Sequence, residues 1–207
     1  MAFERATPPG VTQVPEVCGH CHVQDEEHFK KGPHALAVST VGRPRCIDCH
    51  GHHNVQFPTD QLLAPGQSVC GPCHREGGTA LQANEDIYRL ITQRQQGYDR
   101  ALALLERAEG VHMDVEDQRA ELEKALTALT EARSLQHAVS ADLVRDKADD
   151  AALTIQEVSA GAREALQRAS RRRAALLTVG LLCVLTAGAL GIRARQMWVA
   201  FEASRKG

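Results

Sequence analysis

Three times before residue 75 the chain repeats Cys-x-x-Cys-His: Cys18-Gly-His-Cys21-His22, Cys46-Ile-Asp-Cys49-His50 and Cys70-Gly-Pro-Cys73-His74. The spacing has a mechanical reading. Two thiols three residues apart reach the two vinyl groups of one haem as thioethers, and the adjacent imidazole sits beneath the ring as the proximal iron ligand. Paired Cys-x-x-Cys knuckles also build zinc sites, and Cys18/Cys21 with Cys46/Cys49 could form a site of four thiolates. That alternative leaves Cys70/Cys73 without a partner and the three following histidines unexplained. A redox dithiol needs a βαβ context that the sequence lacks. The motifs therefore predict three covalently attached haem c groups, on Cys18, Cys21, Cys46, Cys49, Cys70 and Cys73, with His22, His50 and His74 on the irons.

The rest of the sequence divides around the motifs. All eight prolines, six of the seven cysteines and eight of the ten histidines fall by His74. Beyond that point the chain is rich in Ala, Leu, Glu, Arg and Gln. The first part offers Phe29, Phe57 and a few aliphatics, but no amphipathic run long enough to bury a face. A segment so poor in core material needs staples, metals or a cofactor to fold. Residues 1–78 are therefore expected to be a haem-dense domain with little regular secondary structure. The formal net charge of −2 argues against a nucleic-acid or other polyanion partner.

Each iron needs a sixth ligand or an open site. Besides the three histidines that end the motifs stand His20, His28, His34, His52, His53, His112 and His137, whereas methionine is scarce and only Met113 lies away from the chain ends. Bis-histidine ligation is the economical reading, and it gives lower potentials than Met/His ligation. The stretch Glu27-His28-Phe29-Lys30-Lys31-Gly32-Pro33-His34-Ala35, followed by Cys46-Ile-Asp-Cys49-His50-Gly51-His52-His53-Asn54-Val55, resembles the multihaem cytochromes c of the class III and multihaem-reductase type. The resemblance is specific across residues 16–75 and looser afterwards. It implies His34 and His53 as distal ligands; His28 and His52 stand as backups, and His20, inside the first motif, as peripheral.

From Leu81 to about Ala108 apolar residues recur with helical period, in one stripe. Gly110 marks a break, Asp114 is a fitting N-cap for a second helix to about Val139, and Ser140 one for a third. Residues 79–172 are thus predicted to be an antiparallel helical hairpin or three-helix bundle, making the chain mainly α. The first helix runs away from the motifs for about 40 Å and the second returns. His112 then lies at the far turn and His137 back at the motif end, which predicts His137 as the distal ligand of the third haem. An ordinary exposed helical histidine is the bland alternative.

Residues Ala174 to Ile192 carry no charge over nineteen positions, between Arg171-Arg172-Arg173 and Arg193/Arg195. That length spans a bilayer core, so 173–193 is predicted to be a transmembrane helix and 194–207 a cytoplasmic tail. Haem c is attached outside the bacterial cytoplasmic membrane, which puts the haem domain in the periplasm. Residues 1–17 show neither a basic n-region nor an apolar h-region, so no signal peptide is predicted there.

The expectation is a membrane-anchored triheme electron carrier. It would serve redox protein partners as a subunit of a respiratory or photosynthetic electron-transfer complex. Two alternatives are a reductase of small nitrogen or sulfur oxyanions, which needs an open haem position, and a quinol-oxidising anchor subunit. A third helix that is continuous and upright would lift the haems about 50 Å from the bilayer, which disfavours the quinol reading.

Overall fold

The computed structural model describes residues 14–53, 55 and 57–206, the last without its side chain. The described chain is mainly helical, with no strand among these residues. Four short helices come first: α1 (Val14–Gly19), α2 (Val23–Lys31), α3 (Pro33–Val41) and α4 (Cys46–His50). A 3-10 turn at Asp60–Leu63 follows, and then the long helices α5 (Thr79–Glu109), α6 (Glu116–Leu135) and α7 (Ala141–Lys206). The signal-peptide reading falls largely on residues 1–13, outside the described part.

The three long helices pack on one another through a heptad seam. On α7 the buried residues Val144, Ala148, Ala151, Ile155, Val158, Ala162, Ala165 and Ala169 alternate four and three apart. Leu122, Ala125, Leu129 and Ala132 repeat the pattern on α6, and Ala101, Leu105 and Ala108 on α5. This is coiled-coil spacing, and the many alanines let the helices approach closely. Two adjoining core clusters result. One runs from Ala101 to the tip at Val115, and the other, around Ile87, Ile91, Ala132, Val144 and Ala148, lies at the motif end.

Of the two predicted N-caps, Ser140 directly precedes α7, whereas α6 starts one residue later than expected, after Val115 and not Asp114. Asp114 Oδ1 accepts the Glu116 N–H at 3.2 Å, and Ser140 Oγ accepts the Leu143 N–H at 3.4 Å. Both satisfy donors that a helix start leaves open. The second helix, however, stops at Leu135 rather than near Val139. A 3-10 turn at Gln136–Ala138 replaces its last residues, and Val139 then adopts a left-handed φ of 49°. His137 therefore sits on a tight turn, not on a helix face.

One further expectation changes. The motif-bearing segment is not irregular: α1 to α4 cover much of residues 14–50. Local terms contribute to this, including Pro33 in the first turn of α3, the left-handed Gly42 after its end and a Lys30–Glu26 ion pair at 2.7 Å on α2. The predicted stalk, span and tail share one helix. Helix α7 is continuous through all three, because no proline interrupts it and Ala, Leu and Arg favour helix throughout. Its first half is the third bundle helix, and from Arg171 to Arg205 its side chains are exposed. That exposed part is long and apolar enough to cross a membrane.

Candidate cofactor site

Each Cys-x-x-Cys-His motif is wound into a single turn. In the first and third, the histidine N–H donates to the carbonyl of the leading cysteine, at 3.0 Å in both. The second motif is helix α4 itself. Arg45 and Asp48 brace its start, with Asp48 Oδ2 accepting the Arg45 N–H at 2.8 Å and its Nε–H at 3.0 Å. The third is fastened to α5 by Asn84, which is buried. Asn84 Nδ2 donates to the Leu63 carbonyl at 3.0 Å, and its Oδ1 accepts from Ser68 Oγ at 3.1 Å. Cys70 Sγ lies 3.5 Å from the same oxygen.

The motifs lie in chain order with the second between the other two. Burial, and then the Cys18 thiol beside it, push the Cys46 thiol up to about 11. Burial also raises Cys49, whose next influence is Cys70. One cysteine of α4 thus borders the first motif and the other borders the third. No two of the seven cysteines are joined by a disulfide.

The histidines form two cross-element pairs. His34, on α3, stands opposite His74 of the third motif, with ring centroids 6.1 Å apart and planes inclined by 23°. His137 stands opposite His50 of the second motif, at 6.0 Å and 28°. Two of the three predicted distal histidines therefore each meet a motif histidine. The expected partner of His137 was the third motif; the structure places it against the second, because the turn at Gln136–Ala138 directs it toward α4. His53 meets no motif histidine: it is exposed on the bend after α4, its ring 4.5 Å from that of His52. His22 faces no other imidazole at such spacing among the described residues.

These pairs can be tested against the demands of a bis-imidazole iron. Metal–imidazole bonds are about 2 Å long and a ring centre lies about an ångström beyond its nitrogen, so rings on opposite sides of one iron stand about 6 Å apart. Both observed separations meet that requirement. The rings must also be neutral. Burial, followed by the facing His74, holds His34 below the usual histidine range, and burial followed by His137 does the same for His50. His137 Nδ1 lies 2.9 Å from the Ser134 carbonyl, which can only accept, so Nδ1 carries the proton and Nε2 keeps its lone pair. Among the described residues no three His, Cys, Asp or Glu side chains converge as ligands of a metal ion, so a zinc knuckle of four thiolates is not assembled. An iron in a porphyrin needs only two side chains, and the residues at the second and third motifs fit that group.

Two braces escaped the sequence reading. Arg133 reaches across to Asp60 with bonds of 3.2 and 3.1 Å and also donates to Gln95 Oε1 at 3.0 Å, tying α6 to the loop before the third motif. Asn84 had a visible signal: it lies three residues before Ile87, on the apolar face of α5, where a polar residue needs a partner. No family model matches the chain, and neither a curated protein nor a solved structure matches it.

Proposed function

We propose that this chain is a membrane-anchored triheme c-type cytochrome, an electron carrier rather than an enzyme. The observation that carries the reading is the pair of imidazole couples, His34/His74 and His50/His137, each joining a Cys-x-x-Cys-His histidine to a second histidine at the spacing of an axial ligand set. The cysteine pairs Cys18/Cys21, Cys46/Cys49 and Cys70/Cys73 hold the three porphyrins, and His22, His50 and His74 are the proximal ligands. His137 is the distal ligand at the second motif and His34 at the third. His53 is assigned to the first, whose histidine lacks a facing ring. Haem supplies one-electron redox chemistry, and paired imidazoles place it at low potential. The protein sets ring orientation, burial and the spacing of neighbouring sites.

The exposed part of α7 is the anchor, a single pass through the bacterial cytoplasmic membrane with the haem region in the periplasm and the C-terminus inside. The helix rises about 50 Å between Ala141, beside the haem end, and Ala174, where the uncharged stretch begins. Direct oxidation of quinol in the bilayer is disfavoured by that length. The partner is instead a redox protein standing equally far from the membrane, as in a respiratory or photosynthetic complex.

A pyridine haemochrome assay on the purified full chain should give three haems c per polypeptide, and any other number overturns the proposal. EPR of the oxidised protein should show three low-spin ferric signals. A second reading, a reductase of small nitrogen or sulfur oxyanions, draws on His22 alone. A high-spin signal that disappears on adding cyanide, and that His53→Ala leaves unchanged, would select it.

A further inference from the structure

Asp25, on α2, stands between two of these sites. Its Oδ2 lies 3.6 Å from Nδ1 of His22, and its Oδ1 lies 3.4 Å from Nδ1 of His137. The same Oδ1 accepts a 2.6 Å hydrogen bond from Ser134 Oγ, in the last turn of α6. One carboxylate thus lies within ion-pair distance of Nδ1 of an imidazole from the first motif and of an imidazole paired with the second. Its side chain is about one-third exposed, at 33%.

We propose that the charge of Asp25 acts on two axial histidines at once, coupling the redox properties of the first and second haems. The inference rests on the haem reading above. His137 Nδ1 gives its proton to the Ser134 carbonyl and Asp25 stands 3.6 Å from His22 Nδ1, so the carboxylate acts on both rings through its charge and not as an N–H acceptor. A negative charge beside a ligand imidazole favours the oxidised iron, so the potential falls. Here one negative charge serves two imidazoles, and Ser134 holds it in place. The second haem loses one electron under the same carboxylate that tunes the first, so the two potentials are lowered together. His34 and His74 have no such contact with Asp25, which leaves the third haem as an internal reference.

The test is a spectroelectrochemical titration of the full chain in detergent, comparing wild type with Asp25→Asn, Asp25→Glu and Ser134→Ala. Asparagine keeps the size and loses the charge. It should raise two of the three potentials by about a factor of ten in the one-electron equilibrium, 59 mV, leaving the third unmoved. The glutamate variant should bring both back toward wild type. Potentials that do not move in Asp25→Asn overturn the proposal, as do three that move together. If Ser134→Ala, which cuts the tie to α6 but keeps the charge, shifts them as far as Asp25→Asn, the role is structural and the proposal fails. A haemochrome count other than three refutes the haem reading itself, whereas three haems with unshifted potentials refute only the role of Asp25.

Discussion

Between the motif-bearing segment and the bundle, apolar side chains are placed in opposite ways. In the bundle they line a continuous seam, with Leu105, Leu129, Ala132, Val144, Ala148 and Ala151 wholly buried. In the motif segment the buried hydrophobics are Val38 and Ala64, while Leu36, Val41, Val55 and Phe57 are exposed, Phe57 to 90%. The first region is held by burial worth about 25 cal/mol per Å² of apolar surface. The second is held by short helices, ion pairs and contacts with the motif end of the bundle, and its exposed apolar residues are left uncovered by the described residues. A region built that way depends on something other than its own side chains for a core, and under the proposed reading the haems supply it.

The largest test of this contrast removes the cofactor. In a chain with Cys18, Cys21, Cys46, Cys49, Cys70 and Cys73 all replaced by alanine, limited proteolysis should digest residues 14–78 while the bundle from Thr79 resists. Circular dichroism should keep most of the helix signal, since α5 to α7 hold most of the helical residues. A motif segment that stays protected without haem would remove the contrast. The converse perturbation is Leu129→Ala, in the centre of the seam. A buried Leu→Ala change costs about 2–5 kcal/mol. It should lower the bundle's unfolding free energy by that amount and leave three haems attached.

The same contrast explains what could be read from the sequence. The bundle was legible because periodic apolar residues report burial directly, and Asp114 and Ser140 sit where helix starts need acceptors. The cysteine motifs were legible because their spacing is local chemistry. The short helices α1 to α3 were not, since they have no strong apolar stripe and are set by caps and by docking on the bundle. The partner of His137 was hidden for a related reason. A helix carried on to Val139 would have put this residue on a regular face, whereas the chain tightens after Leu135 and turns left-handed at Val139. Sequence separation gave no hint that Asp25 and Ser134 meet, because their contact depends on that same turn.

The smallest effect lies where the two regions touch. Gly32 joins α2 to α3 with an extended backbone, φ −93° and ψ 168°, which any residue can adopt. Its need for glycine is therefore not conformational. A Cβ built there would stand 2.5 Å from the Ala138 carbonyl oxygen and 2.9 Å from the carbonyl carbon, both backbone atoms of the turn that carries His137. Neither can swing aside as a side-chain tip would, so Gly32→Ala must push α2 and α3 away from that turn. Overpacking of this kind costs about 1–3 kcal/mol. His34 lies two residues from Gly32 and His137 one residue from Ala138, so the displacement reaches both histidine couples. Gly32→Ala should therefore broaden the low-spin EPR signals of the second and third haems and leave the bundle's own denaturation midpoint nearly unchanged. Unaltered signals would mean that the interface yields without moving either histidine. The motif segment would then be less dependent on the bundle than its packing implies.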